Sequence, residues 1–446
     1  AQIDRCNFGS ANLRAATFRN ASLCQVDLHA CLIDQTDFSN ADLREANLAG
    51  LDLTSVNLMG ANLEKTNLTG ANLRGANLKN TNLHGAILTG VNLQGANLEG
   101  VILDEISLVN ANLIGVNLKG ARIQKSDFRA AKLHDANLSG ALLSGTDLSY
   151  AEFERVNLAD ALLEHITCYR TRFRDAIFTQ ARLNHSNFHS ADLTFCNMAG
   201  VRFAFTNLNE ANLEGANLQG CHLWGVNLES ANLAQTVFTR SLIERTNLTK
   251  AKLAGVILKG VSMPNVVFDH VVLDGMNLEK ADLRHASLLG TSLRGANLEG
   301  ANFQNASLHS ANLSHSNLRG ANLRGANLWR INLEEALLDK ADLRGCKLDE
   351  ANLKHATLVQ ADLTGASLLR TDLEFADLSS ALINQVNLDE SNLKRTLLDG
   401  AEMVEVSCEK TDCTELQLNK TKKLFAHFRM SCLVKANLSG LNLQGF

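Results

Sequence analysis

The sequence has few of the residues that mark irregular structure or membrane segments. Among its 446 residues there is one proline, and aromatic residues make up 5% of the chain. Linkers between domains usually contain several prolines, so this near absence argues against the roughly three domains that the length would suggest. No apolar run approaches the roughly 18 residues that span a membrane. No basic segment followed by an apolar one marks a secretory signal.

The usual signatures of catalysis and of nucleic-acid binding are also missing. Lys and Arg number 42 and Asp and Glu 47, for a net charge of −5, so the chain is neither a basic nucleic-acid binder nor an acidic tail protein. It contains no phosphate-binding glycine loop, no H-E-x-x-H and no nucleophile elbow. We therefore expect no enzyme activity, no cofactor, no membrane contact and no direct nucleic-acid binding.

The chain does contain one short motif, repeated throughout. Divided into fives from Ala1, it gives 89 consecutive pentapeptides in one phase, followed by Phe446. The third residue, called the centre here, is Leu, Ile, Phe, Met or Cys in 88 of the 89, and Lys423 is the exception. The first residue is Ala in 44, the second is mostly Asn or Asp, and 29 of the 30 glycines are fifth residues.

A five-residue period fits neither an α-helix nor a plain strand. Positions one and three would face a core from a three-residue strand, and positions four and five would form a turn in which glycine supplies positive φ. One such unit cannot bury its apolar face alone. Stacking many of them would bury it, as in a solenoid.

The blocks ANLEG ANLQG at 211–220 and ANLRG ANLRG ANLWR at 321–330 closely resemble the pentapeptide repeat family, whose signature is A(D/N)LXX. The resemblance covers essentially the whole chain. It implies an all-β fold, a right-handed quadrilateral parallel β-helix of four pentapeptides per coil, with about 22 coils. It also implies that some members resemble duplex DNA in shape and charge, bind DNA gyrase and protect it from quinolones.

Charged residues 20 apart test that coil length. Arg330, Glu350, Arg370, Glu390 and Lys410 alternate in sign at this spacing, as do two further series: Glu334, Lys354, Glu374, Lys394; and Lys79, Glu99, Lys119. Opposite charges on neighbouring strands are mildly stabilising. We therefore expect these residues to form ladders, and the pairs Phe18/Phe38 and Phe153/Phe173 to stack.

The repeat weakens near its C-terminal end. We divide the chain into a β-helix at 1–415 and a degenerate segment at 416–446 that caps the stack. Leu424, Phe425 and Phe428 have helix-like spacing, so a short helix is an alternative there, and this end is a candidate surface for homodimer formation or docking. The other end starts in full repeat. Because open β-helix ends expose unpaired edges, we expect that Ala1 is not the natural start or that another domain or chain covers it.

Two further departures are candidate partner-binding sites. In 256–276, apolar residues replace Asn and Asp at second positions; with Val237 they predict either a repacked coil or an exposed apolar strip. Outward aromatic residues have the composition of an interaction hot spot, the alternative being that they only cover turns. The apolar candidates are Val237, Ile257, Val267 and Val272, and the aromatic candidates are Tyr150, Tyr169, His165, His185, Phe205 and Trp224.

The cysteines and histidines predict no metal site. No C-x-x-C pair exists, and eight of the ten cysteines occupy inward positions: Cys6, Cys31, Cys196, Cys221 and Cys346 as first residues, and Cys168, Cys408 and Cys413 as centres. Free buried thiols fit a reducing cytoplasm, with export by a dedicated secretion system as the alternative. His315, Glu335 and His355 share a column, but the histidines would lie about 9.6 Å apart, too far for one ion.

Three functions remain. The first is a non-catalytic scaffold or adaptor that binds protein partners. The second is an accessory or effector-associated module of a bacterial secretion system, within a larger polypeptide or complex. The third is DNA mimicry toward gyrase, which the charge disfavours: a rod of about 105 Å would mimic about 60 charges, and this chain carries a net −5.

Overall fold

The computed structural model describes residues 1–439 and divides the chain into two compact units. Unit 1 is Ala1–Val237 and unit 2 is Phe238–Phe446, of which 238–439 are described. The division predicted after residue 415 remains a prediction. Among the described residues, no helix is long and apolar enough to cross a membrane.

Both units are built from the same five-residue element. The second residue of nearly every five forms a parallel bridge to the residue 20 positions later, as Asn92 does to Asn112 and Asn302 to Asn322. Beside each bridge a centre N–H donates to the next coil, for example Leu93 N to Asn112 O at 2.7 Å. Each unit therefore repeats every 20 residues, as the charge columns predicted.

Within residues 1–439, five segments are regular enough to form strands. In unit 1, β1 is His222–Trp224. In unit 2, the strands are β2 Leu242–Glu244, β3 Leu382–Asn384, β4 Glu402–Ser407 and β5 Lys423–His427. Strands β3, β4 and β5 form one parallel sheet in that order.

The core consists of stacked centres and small first residues. Phe18 and Phe38 stack with ring centroids 5.2 Å apart, and Phe153 and Phe173 lie at the same separation, so both predicted stacks are confirmed. First residues that are not apolar are mostly Thr or Ser. Many donate to the centre carbonyl 23 residues earlier, as Thr371 does to Leu348 O at 2.8 Å, and others donate to the centre carbonyl three residues earlier, as Ser316 does to Leu313 O at 2.7 Å. These hydroxyls are therefore satisfied although they are buried.

Second-position Asn and Asp explain the regularity of the turns. The side-chain oxygen Oδ1 of Asn232 accepts the Ala234 N–H at 3.1 Å, while the side-chain Nδ2 of Asn232 donates to Asn212 Oδ1 at 2.9 Å. At several second positions where Ser replaces Asn, an Asp 18 residues earlier accepts these hydrogen bonds instead. Asp269 accepts both the Ser287 hydroxyl at 2.6 Å and the Leu289 N–H at 2.9 Å.

The predicted charge ladders form ion pairs at some of their steps. Arg330 and Glu350 pair at 2.7 Å, and Arg370 and Glu390 at 2.8 Å. Lys354 and Lys394 both lie within 3.5 Å of Glu374, and Lys79 lies 3.2 Å from Glu99. These exposed pairs favour the 20-residue register more than they add stability.

The phase slips by one residue at β5. Glu402 of β4 pairs with Lys423, 21 positions away, and the spacing returns to 20 where Val406 pairs with Ala426. The slip places Leu424, rather than Lys423, opposite the buried Met403, because a lysine at a centre would bury an ammonium group. The Nζ atom of Lys423 lies 3.0 Å from Glu402 Oε2 instead.

This strand corrects the prediction for the C-terminal segment. The spacing of Leu424, Phe425 and Phe428 suggested a short helix, but within the described residues 416–439 the chain forms β5 at this point and no helix. The spacing looked helical because Leu424, which faces Met403 in place of Lys423, lies four residues before the next centre, Phe428. Residues 440–446 of the predicted cap lie outside the described residues.

Candidate partner-binding surfaces

Four candidate aromatic residues of unit 1 form one continuous column at a turn of the coil. The His165 and His185 rings stack with centroids 5.2 Å apart, and His185 stacks on Phe205 at 5.3 Å. Trp224 meets Phe205 edge-on at 4.6 Å. Phe205 is 49% exposed and Trp224 41%. Together these four residues are called the aromatic column below.

The two tyrosines form a second group at the turn that follows in the chain. Tyr150 meets Tyr169 edge-on at 5.4 Å, and Tyr169 stacks on His189 at 5.5 Å. The Arg170 guanidinium lies 5.2 Å from the Tyr169 ring centroid, within cation–π distance. The structure therefore places the tyrosines beside each other, one strand away from the aromatic column.

Glycine determines where the aromatic column ends. The fifth residue of each turn has positive φ whether it is glycine or not, as at Phe205 (φ 52°) and Gly225 (φ 64°). A Cβ on Gly225 would lie 2.8 Å from Phe205 Cδ1, so the ring rests on the glycine. Phe195, which the sequence reading missed, covers Gly215 in the same way. An aromatic side chain can thus cover the glycine of the next turn and still leave much of its ring exposed to solvent.

The predicted apolar strip is not a single surface. Val267 bridges Asn247 and Ser287, while Val272 bridges Ser292 on a different side of the coil. Ile257 belongs to a third side, because 20 residues make one coil. Ile257 and Val272 are well exposed, whereas Val237 and Val267 are half-buried. The grouping was wrong because second residues of successive fives lie on successive sides.

The coil wall is open next to this segment. Within the described residues, no bridge or backbone hydrogen bond joins 251–258 to 270–277, although Lys250 N to Asp269 O and Gly260 N to Glu279 O close the coil on either side at 3.2 Å. Lys252, Ile257 and Val272 stand at three of the four second positions here, so the Asn interactions that order other turns are missing at these three; Asn277 still accepts the Glu279 N–H at 3.1 Å. The opening is lined by Lys252, His270, Val272 and Met276, among others.

The C-terminal candidates differ in exposure. Phe425 is 63% exposed, whereas Leu424 and Phe428 are half-buried. Beside them, hydrogen bonds from Lys422 and then Lys423 hold the pKa of Glu402 below its ordinary range. Of the three candidates, Phe425 is thus the one available to a partner.

The thiols and histidines show no metal-binding arrangement in residues 1–439. His315 and Glu335 form an ion pair at 3.1 Å, and His355 stacks on Phe375 at 4.9 Å. Burial raises the pKa of Cys221, Cys346 and Cys413 to about 12. Seven of the eight cysteines predicted to face inward are buried; Cys6, in the first coil, is exposed.

Unit 2 has aromatic pairs that the sequence reading overlooked. His309 and Trp329 lie with centroids 4.4 Å apart, and the Arg330 guanidinium lies 4.3 Å from the Trp329 ring. Phe375 is a fifth residue like Phe205 and is 39% exposed. The sequence could have indicated these pairs, since in each pair a histidine lies 20 residues, one coil, before an aromatic residue.

Comparison with known proteins gives the family. The pentapeptide repeats family matches overlapping stretches that together cover residues 1–260 and 262–385. The chain belongs to this family, whose members form right-handed quadrilateral β-helices, and the predicted fold class is confirmed. The count of about 22 coils remains a prediction. No curated protein matches the chain.

Several solved structures of the family are similar to parts of the chain. A pentapeptide repeat protein from the Arabidopsis thaliana thylakoid lumen is 30% identical over 22% of this chain and 68% of its own, with a TM-score of 0.22. HetL, involved in heterocyst differentiation regulation in Nostoc, is 25% identical over 57% of this chain and 92% of its own, with a TM-score of 0.19. QnrB1, a plasmid-mediated fluoroquinolone resistance protein, is 19% identical over 47% and 88%, with a TM-score of 0.25.

Proposed function

We propose that this chain is a non-catalytic protein-interaction scaffold whose main contact surface is the aromatic column of unit 1. Pentapeptide repeat proteins are generally structural or interaction proteins. The observation that carries the proposal is the continuous stack His165–His185–Phe205 with Trp224 at its end. Exposed, mutually supported rings lose little side-chain entropy on binding, which is why such residues dominate interaction hot spots.

The Tyr150–Tyr169–His189 group would extend this contact across the strand that separates the two turns. Phe425 at the C-terminal strand is a secondary contact. A protein partner in the cytoplasm is the reading that the free thiols favour. The secretion-module and gyrase alternatives differ from the scaffold proposal in the protein that the chain binds, so identifying that protein distinguishes the three.

The test is affinity capture from lysate of the source cells, with bound proteins identified by mass spectrometry. Phe205→Ala combined with Trp224→Ala should lose the specific partner. Phe375→Ala is the matched control, because Phe375 is also an exposed fifth residue stacked on a histidine one coil earlier. Capture of gyrase or of a secretion component would select an alternative. Equal capture by all chains would refute the aromatic column as the contact surface.

A further inference from the structure

The side of unit 1 next to the aromatic column carries an uncompensated positive charge. Arg182 and Arg202 are exposed second residues that bridge each other directly, and Arg202 bridges His222 in the next coil. Among the described residues, neither arginine has a carboxylate within ion-pair distance. The nearby Glu164 accepts a hydrogen bond from the Asn184 amide at 3.2 Å.

This arrangement differs from like-charged pairs elsewhere that have a counter-charge. Like charges directly opposite each other on neighbouring strands are destabilising, and the bridged pair Asp127 and Asp147, for example, has Arg129 within 3.9 Å of both carboxylates. Arg324 and Arg344 are also one coil apart, but Arg344 is paired with Asp342 at 2.6 Å and lies 3.6 Å from Asp362. The pair Arg182–Arg202 thus has no counter-charge from its own fold, and a bound anionic partner would supply one.

We propose that Arg182, Arg202 and His222 form a docking surface for an amphipathic α-helix with carboxylates along one stripe. This inference rests on the proposed scaffold function and names the chemistry of the partner. The guanidinium group matches a carboxylate in a bidentate fork. The aromatic column lies at the turns that follow these strands, so apolar side chains on the adjacent helix stripe would meet Phe205 and Trp224.

Spacing favours a helix over an extended chain. Three residues on successive coils span two strand spacings, about 9.6 Å. In a helix, residues i and i+7 are about 10.5 Å apart along the axis, with i+3 or i+4 between them. In an extended chain, side chains on one face recur about every 6.6 Å, and the third lies about 13 Å from the first. Three acidic side chains on one stripe of a helix therefore have nearly the same spacing as the three residues on successive coils.

The two arginines also lie beside a flat edge. The turns before their strands end in Gln180 and Gly200, and the Gln180 amide lies over Gly200, where a Cβ would be 2.2 Å from Nε2. The Gln180 side chain covers Gly200, whereas Gly220 has nothing within 4 Å of its Cβ position. The edge is therefore low at Gly220, and a cylinder about 10 Å wide can approach the arginines from there.

Fluorescence anisotropy with a labelled synthetic peptide tests the proposal. The probe is a helix-forming peptide with Glu at i, i+4 and i+7 and Leu on the adjoining stripe. We expect saturable binding that weakens at least about tenfold when Gln replaces the Glu residues, and equally when the protein carries Arg182→Gln and Arg202→Gln. Arg240→Gln with Arg294→Gln is the control, since both are exposed arginines with no carboxylate within ion-pair distance among the described residues, and their loss changes net charge equally. This control should bind within about twofold of the original chain.

Other outcomes overturn the proposal. Absent peptide binding, binding insensitive to Arg182 and Arg202, or tighter binding of a single-stranded oligonucleotide at these arginines would each refute it. Thermal melting supplies a second readout: Arg202→Gln relieves like-charge repulsion, so Tm should stay equal or rise, and a clear fall would show that the arginines serve the fold. If the aromatic variants still lose the captured partner while the arginine variants keep it, the acidic-helix inference fails and the scaffold function stands.

Discussion

The buried thiol of Cys346 gives a prediction whose size follows from the structure. Its Sγ donates to Leu323 O at 2.9 Å, and burial raises its pKa to about 12. In the unfolded chain the pKa of a cysteine is about 8.5. Cys346→Ala removes the hydrogen bond and some packing, so near pH 7.5 it should lower the free energy of unfolding by about 1–2 kcal/mol.

Raising the pH should cancel that loss. A folded-state pKa above the unfolded value means that the thiol contributes stability at low pH and loses it as pH rises above the unfolded pKa. At pH 10 the unfolded thiol of the original chain ionises while the folded one does not. This favours unfolding of the original chain by about 2 kcal/mol, and Cys346→Ala escapes the effect. At pH 10 the variant should therefore equal or exceed the original chain in stability.

The assay is urea unfolding followed by circular dichroism under reducing conditions, at pH 7.5 and pH 10. Thr371→Ala is the control, because Thr371 occupies the same position and donates to Leu348 O at 2.8 Å but does not titrate in this range. Its effect on the free energy of unfolding should be the same at both pH values. An equal effect of Cys346→Ala at both pH values would refute the reasoning about burial.

Two further predictions concern the turns and the slipped strand. Gly120→Ala, at φ 64° with open space around the Cβ, should lower the free energy of unfolding by about 1 kcal/mol in the same urea assay. Gly215→Ala, whose Cβ would lie 2.5 Å from the Phe195 ring, should lower it by roughly twice as much. Equal losses for the two variants would mean that the ring moves aside freely. Leu424→Asp should lower Tm by several degrees because it buries part of a carboxylate, whereas Phe425→Asp on the exposed side should leave Tm nearly unchanged; the reverse order would contradict the slipped register.

Much of the fold could be predicted from the sequence because the repeat has a single length. Once 20 residues make a coil, Arg330 must meet Glu350, and His165 must stack on His185, as observed. The same arithmetic would also have separated Val267 from Val272. That grouping failed because neighbouring residues in sequence were assumed to be neighbours on the surface.

The slip at β5 could not be read from the repeat. The chain keeps its length in fives there, and the pairing shifts because burial of Leu424 is more favourable than burial of Lys423. That choice depends on Met403 and Glu402 in the preceding coil. Likewise, the sequence could not show that Arg182 and Arg202 lack a counter-charge, because that conclusion depends on where the neighbouring carboxylates lie in three dimensions.

The 20-residue register has a consequence for how such a chain can change in length. Duplicating a full coil would keep every centre and every turn in its column, although each charged residue of that coil would meet its own copy at the junction. Inserting a single pentapeptide between Arg330 and Gly345 would preserve the turns and centres but would rotate every later column by a quarter turn. Arg330 would then face Gly345 instead of Glu350, while Arg370 and Glu390 would still pair with each other. Length variation in units of five thus redistributes surface patterns around the coil without demanding a new core.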